Sequence, residues 1–268
     1  MKSIQQHITE RLQLNRDRVH KIKYEYCPKN RKELGDIIKD ITSKHNNDKI
    51  IGLNMIDTSK IEDMQSLFLE SQYNYDVSQW DVSNVTNMNS MFKYSNFNSD
   101  ISQWDVSHVK DMYGMFQDTS FNQDISRWDV SEVENMGCMF AGSKFNGDIS
   151  HWDVSSVKQM DSMFAHSQFN NDISSWNVSH VEDMSQMFAY SKFNQDISNW
   201  NVSSVVYMTS MFACSKFNQD ISEWDISSVE NLFLIFAQSQ FNQDLTPWKD
   251  IIKNHSQLKN IQDYIYMT

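Results

Sequence analysis

The chain has 268 residues, of which 40% are hydrophobic, 13% aromatic and 22% charged, and its formal net charge is −12. This length and aromatic content predict a buried core and exclude low-complexity disorder. The acidic balance argues against a nucleic-acid partner, because phosphate binding needs a basic surface; it favours basic proteins, cations or simply solubility.

The first 48 residues are predicted to form a helical cap. Asn30 and Glu33 have the spacing of a capping box. After the capping box, apolar residues recur at helical spacing: Leu34, Ile37, Ile38 and Ile41. An earlier helical stripe consists of Ile4, Ile8 and Leu12. Residues 1–49 hold 12 Lys+Arg against 7 Asp+Glu, whereas residues 50–268 hold 11 against 28. The basic head can attract the acidic body or meet an acidic partner, and both interpretations stay open.

An internal repeat organises the rest of the chain. The tryptophans all lie 24 residues apart: Trp80, Trp104, Trp128, Trp152, Trp176, Trp200, Trp224 and Trp248. The consensus is F-N-Q-D-I-S-x-W-D-V-S-S-V-x-x-M-x-S-M-F-A-x-S-x, numbered here as positions 1 to 24. Unit 1 is a degenerate capping repeat at 49–72, and units 2 to 8 are full repeats covering 73–240. Residues 241–268 are predicted to be a partial repeat followed by a helical cap.

The apolar spacing within a unit predicts a strand followed by a helix. Trp at position 8 and Val at position 10 alternate as in a strand, whereas Val 13, Met 16, Met 19 and Phe 20 follow a helical stripe. Serine at position 11 is a plausible helix N-cap. The predicted fold is therefore an α/β solenoid, a right-handed leucine-rich-repeat-like stack of strand-plus-helix units closed by helical caps.

The phrase FNQDISxWDVSSVxxMxxMF, repeated over 49–248, resembles the BspA-like leucine-rich-repeat family of bacterial surface proteins. The preceding segment CPKNRKELGDIIKDI…LNMIDTSKIEDMQSLF is similar to the leader placed ahead of such arrays. The resemblance implies surface exposure and adhesion or partner binding. The absence of a standard secretory signal and of any apolar run long enough to span a membrane instead predicts a cytoplasmic protein. Both localisations stay open.

Two polar columns are predicted to be structural. Asparagine at position 2 is expected to be buried and to bond the backbone of its own and the next turn: Asn74, Asn98, Asn122, Asn146, Asn170, Asn194, Asn218 and Asn242. Aspartate at position 4 is expected to accept backbone N–H groups, with calcium between neighbouring carboxylates as the alternative: Asp76, Asp100, Asp124, Asp148, Asp172, Asp196, Asp220 and Asp244.

The candidate ligand surface is the exposed face of the predicted strand, made by positions 7 and 9. Position 9 is nearly constant: Asp81, Asp105, Asp129, Asp153, Asn177, Asn201 and Asp225. Position 7 varies: Gln79, Gln103, Arg127, His151, Ser175, Asn199 and Glu223. A variable column beside an acidic one suits recognition of a protein, peptide or glycan, although unconstrained solvent surface would look the same.

The remaining features favour binding over catalysis. The methionine columns are expected to fill the core rather than hold a soft metal, and no cofactor or metal is expected. Cys27, Cys138 and Cys214 fit no disulfide or zinc spacing, and no catalytic motif is present. Phe233 and Leu234 should pack on the C-terminal cap or meet a partner. The cap follows Pro247 and contains Ile251, Ile252, Leu258, Ile261 and Ile265.

The sequence therefore predicts a non-enzymatic recognition or adhesion module that binds along its acidic strand face. The alternative is an intracellular structural or regulatory scaffold that acts through its caps.

Overall fold

The computed structural model describes residues 24–45 and 48–254. Its regular elements in chain order are helix α1 (Arg31–Ser43), strand β1 (Ile50–Gly52), strand β2 (Asn74–Asp76) and helix α2 (Trp248–Asn254). The two strands pair in parallel, with Ile51 opposite Tyr75. Everything between β2 and α2 is built from turns that repeat with the 24-residue period.

Helix α1 begins at the capping box. The Asn30 side chain accepts the backbone N–H of Glu33 at 3.0 Å, and the Glu33 carboxylate accepts the backbone N–H of Lys29. The buried face of the helix is formed by Leu34, Ile38 and Ile41, which join the core of the repeats. Ile4, Ile8 and Leu12 lie outside the described residues.

The predicted helix in each unit is wrong: the described part of units 1 to 8 contains no helix. Positions 18 and 22 have positive φ in every unit, as at Cys138 (55°) and Tyr190 (56°). A left-handed residue at every fourth position cannot continue a right-handed helix. Successive turns replace it, and each turn brings an N–H to the carbonyl three residues back, as from Met91 to Met88. This step of three residues produces the stripe that sequence assigned to a helix.

The predicted strand at positions 8 to 10 is also absent. The N–H at position 8 bonds to the carbonyl at position 5, and the N–H at position 13 bonds to that at position 10, as in Trp104 to Ile101 and Val109 to Val106. Trp and Val are buried as expected, but each lies at the end of a turn. The strands that do form occupy positions 2 to 4 of units 1 and 2.

Hydrogen bonds join successive units in one direction along positions 15 to 22, a segment that we call the ladder. The N–H groups at positions 16, 18, 20 and 22 donate to carbonyls at positions 15, 17, 19 and 21 of the following unit, with N···O distances of 2.7 to 3.0 Å. Parallel bridges mark position 15 from Asp63 to Asn231. A return bond, as from Asp111 to the Thr86 carbonyl, produces the parallel bridge at position 15; beyond it the bonds run one way only, unlike those of a regular parallel pair.

The core consists of stacked rows of identical side chains, so the chain is a repeat protein. Methionines at positions 16 and 19 are fully buried, and Phe116 stacks on Phe140 with ring centroids 5.8 Å apart. The indole N–H of each Trp from Trp80 to Trp224 donates to a carbonyl of the preceding unit, as from Trp176 to Ile149 at 3.0 Å. At the end of the array, Trp248 of α2 is buried near Phe236.

Candidate interaction surfaces

The fourteen residues at positions 7 and 9 form the first candidate surface, which we call the turn edge. All of them are exposed, and each column places one residue per unit along the array. They lie on the turns that flank the buried Trp and not on a strand, which corrects the predicted strand face. The sequence thus placed these residues correctly in solvent but assigned them to the wrong element.

At position 9 the side chain is engaged by its own backbone. The Asp105 Oδ1 accepts the N–H of Ser107 at 3.2 Å and its hydroxyl at 2.6 Å. The Asn177 Oδ1 makes the same pair of bonds with Ser179, at 3.2 and 2.8 Å. Since Asp and Asn supply the same acceptor, the column is explained by an Asx turn without any ligand. The Ser107 hydroxyl and N–H also lower the pKa of Asp105.

Position 7 carries the variable chemistry of the turn edge. Where these side chains bond within the chain, the partner is a serine of the preceding or the same unit: the Ser175 hydroxyl donates to the Ser150 carbonyl at 2.8 Å, and the Gln103 amide donates to the Ser102 hydroxyl at 3.2 Å. Arg127 and His151 are exposed neighbours in the middle of the column. This column offers polar contacts and little apolar area.

The position 2 asparagines link successive units. Each amide oxygen from Asn74 to Asn218 accepts the backbone N–H of the next asparagine, at 2.8 to 3.0 Å. These side chains are half-buried or exposed, so the expectation that they are buried is wrong. Their role depends on an acceptor held beside the next turn, which does not require burial.

The position 4 aspartates each accept the backbone N–H two residues later, at 2.8 to 3.1 Å, in all eight copies. The N–H groups of Ser126 and Ser150, with the hydroxyls of the same serines, lower the pKa of Asp124 and Asp148. In the described ranges, no group of three or more His, Cys, Asp or Glu side chains is placed to hold a metal ion.

The ladder face, the exposed side of positions 15 to 22, is the second candidate surface; from sequence only its residues Phe233 and Leu234 were predicted to meet a partner or the cap. Apart from Ile50, the exposed large apolar side chains of the described residues all belong to the ladder: Leu69, Tyr94, Tyr190, Tyr207, Phe233 and Leu234. In the sequence these residues look scattered, because they occupy five different positions of the repeat. Only the stacking of units brings two of them, Tyr190 and Leu234, to the same groove.

A groove of about 330 Å³ runs along the ladder face of units 6 to 8. Its floor is the alanine column at position 21: Ala189, Ala213 and Ala237. One wall is position 18, with Gln186, Ser210 and Leu234. The other wall is position 22, with Tyr190, Cys214 and Gln238. Tyr190 is 57% exposed and stacks on His166 with ring centroids 4.4 Å apart. A hydrogen bond with Cys214 raises the pKa of Tyr190. The groove is therefore mostly apolar, with a neutral phenol at its rim.

A smaller cluster lies in the middle of the ladder face. The Tyr113 ring packs over Gly137, and the Cys138 thiol donates to the Tyr113 hydroxyl at 3.4 Å. Burial raises the pKa of Cys138, which keeps the thiol protonated and poorly nucleophilic. Burial, together with nearby Asp183, also raises the pKa of Asp161. The cluster has the character of side-chain packing across three units.

A protein-family profile described as "Mycoplasma protein of unknown function, DUF285" matches residues 38–144, 120–192 and 166–266. Comparison with curated proteins and with solved structures finds no match. Within residues 24–45 and 48–254, no helix is long and apolar enough to cross a membrane.

Proposed function

We propose that this chain, which belongs to the DUF285 family of mycoplasma proteins of unknown function, is a non-enzymatic recognition module. It binds a protein or peptide through the groove on its ladder face. The groove in units 6 to 8 carries this proposal. Tyr190 stands at its rim, Leu234 is 36% exposed in its wall, and alanines leave its floor open.

The chemistry of the groove suits a polypeptide side chain. Tyrosine is enriched among the residues that dominate binding energy, because its ring offers apolar area at low entropic cost and its hydroxyl adds a hydrogen bond. His166 supports the Tyr190 ring from the neighbouring unit, so the ring is already oriented in the free protein. Such preorganisation lowers the cost of binding.

The turn edge supports binding less well. Its position 9 side chains already serve the backbone, and its position 7 side chains offer isolated polar groups. The acidic row predicted as the ligand surface has a sufficient structural reason in the Asx turns. A ligand that depends on the turn edge would revive the original interpretation.

We also infer that the stacked units form a solenoid related to the BspA-like leucine-rich-repeat proteins. The unit length of 24 residues and the in-register bonds between units support this inference. The right-handed sense of the solenoid and a role in surface adhesion stay predictions from sequence.

A random peptide display library, panned against the full chain, tests the proposed function. Tyr190→Ala should weaken selected peptides by about tenfold or more, as expected for a residue that dominates binding. The matched control is Tyr94→Ala, at the same position 22 of unit 2 but outside the groove. Loss of binding in an Arg127→Ala/His151→Ala variant, with Tyr190→Ala unaffected, would transfer the site to the turn edge. Peptides that bind through α1 would favour the scaffold alternative.

A further inference from the structure

The last rung of the ladder leaves a row of backbone donors open. In units 1 to 7, the N–H groups at positions 16, 18, 20 and 22 all donate to the next unit. In unit 8 these positions are Leu232, Leu234, Phe236 and Gln238, and no acceptor among the described residues takes their N–H groups. An open row of this kind is a template for a further segment of chain.

The two ends of the ladder are chemically unlike. At the first unit the open groups are carbonyls, and the Arg31 side chain of α1 donates to the Gln65 carbonyl at 2.6 Å. Two copies meeting at their C-terminal edges would oppose donors to donors. A head-to-tail contact would need the carbonyl edge, where α1 lies. A second copy therefore fits the open edge poorly.

A segment that offers carbonyls fits it, and the chain supplies one nearby. Helix α2 closes the core at the same end, with Ile252 buried and its last residue at Asn254. The 14 residues that follow can span about 45 Å when extended, whereas one rung uses only eight. The family match continues to residue 266, so this stretch belongs to the repeat region of the family.

We infer that residues 255–268 dock on the C-terminal edge of the ladder as a ninth rung, accepting the N–H groups of Leu232, Leu234, Phe236 and Gln238. The apolar residues of the segment would cover exposed Leu234: Leu258, Ile261 and Ile265. These three residues lie outside the described ranges. Leu234 belongs both to this edge and to the proposed groove, but the four backbone N–H groups carry the inference and Tyr190 carries the proposed function, so the two can fail separately.

Amide hydrogen exchange on the full chain tests the inference. The four amides should be protected to the level of Met208, Ser210, Phe212 and Cys214, their counterparts in unit 7. The amide of Ile235 is the internal control, because it donates within its own unit to Leu232. Exchange of the four amides at unprotected rates would overturn the inference. Protection that disappears on dilution would overturn it too, since that would indicate a second copy.

A variant with Ile261→Asp and Ile265→Asp separates docking from other sources of protection. Protection of the four amides should fall about tenfold or more, while the unit 7 amides stay protected. Gln262→Asp is the control for added charge in the same segment. Unchanged protection in the double variant would overturn the inference.

Discussion

Substitution of Asp105 separates a structural role of the acidic row from a binding role. Asp105→Asn keeps an acceptor oxygen for the N–H and hydroxyl of Ser107, as Asn177 does for Ser179 in unit 6. Asp105→Ala removes both bonds. We therefore expect the Asn variant to fold with nearly unchanged stability and the Ala variant to be less stable.

The magnitudes follow from the geometry of the turn. Loss of a side-chain acceptor for an exposed backbone N–H costs about 1 kcal/mol, as at a helix N-cap. Asp81 and Asp129 occupy the same position in the adjacent units, about 5 Å away by the spacing of parallel chains. Like charges at that distance repel by about 0.8 kcal/mol in water. The lowered pKa of Asp105 means that its charged form favours folding despite this repulsion, so Asp105→Asn should be slightly destabilising at pH 7 and much less so than Asp105→Ala.

Urea unfolding of the two variants and the parent at pH 7, in low and high salt, measures these effects. The pH adds a second check. The pKa of Asp105 is lowered in the folded state, so its contribution is present above the unfolded pKa and is lost as pH falls through the folded pKa. Asp105→Asn should lose less stability on acidification than the parent. If Asn and Ala are equally destabilising, the Asx turn is not the reason for the acidic row.

Four further outcomes are expected. The pKa of Asp161 is raised in the folded state, so the neutral form of its carboxyl group favours folding. This contribution to stability is present below the unfolded pKa and is lost as pH rises through the folded pKa. Asp161→Asn should therefore raise the melting temperature at pH 7 but not below about pH 4. Gly142→Ala should be destabilising, because φ of Gly142 is 65° and the new Cβ would collide with the Asp118 side chain. Gly35→Ala in α1 should instead add about 0.5 to 1 kcal/mol of stability. Urea unfolding measures both changes. Trp176→Phe should cost about 0.5 to 1.5 kcal/mol in the same assay beyond its lost packing, because the Ile149 carbonyl loses the indole N–H but keeps the backbone N–H of Trp152. Millimolar calcium should leave the melting temperature unchanged, since the position 4 aspartates bond the backbone; a marked rise that a chelator reverses would contradict this.

Sequence predicted the features that depend on which side chains are apolar. The 24-residue period and the buried rows of Trp, Met and Phe follow from spacing alone. The local conformation of the chain could not be predicted from this spacing, because turns that step by three residues bury the same positions as a helix. The left-handed residues that decide between them include Cys138 and Tyr190, and neither residue type marks positive φ. The groove was hidden for another reason: its walls come from three units, 24 and 48 residues apart.

The direction of the ladder makes the two ends of the array electrically unlike. Four N–H groups per unit point toward the following unit, against a reverse bond at position 14, as from Lys110 to Thr86, and further reverse bonds from positions 15 and 24 in several units. Aligned peptide dipoles add, so the first unit presents partial negative charge and the last presents partial positive charge. Helix α1 lies at the carbonyl end, where the Arg31 side chain donates to the Gln65 carbonyl. The Arg31 guanidinium thus meets the negative end of the ladder. By the same reasoning, the C-terminal end needs a cap that supplies acceptors, so the two caps of this array cannot be interchanged.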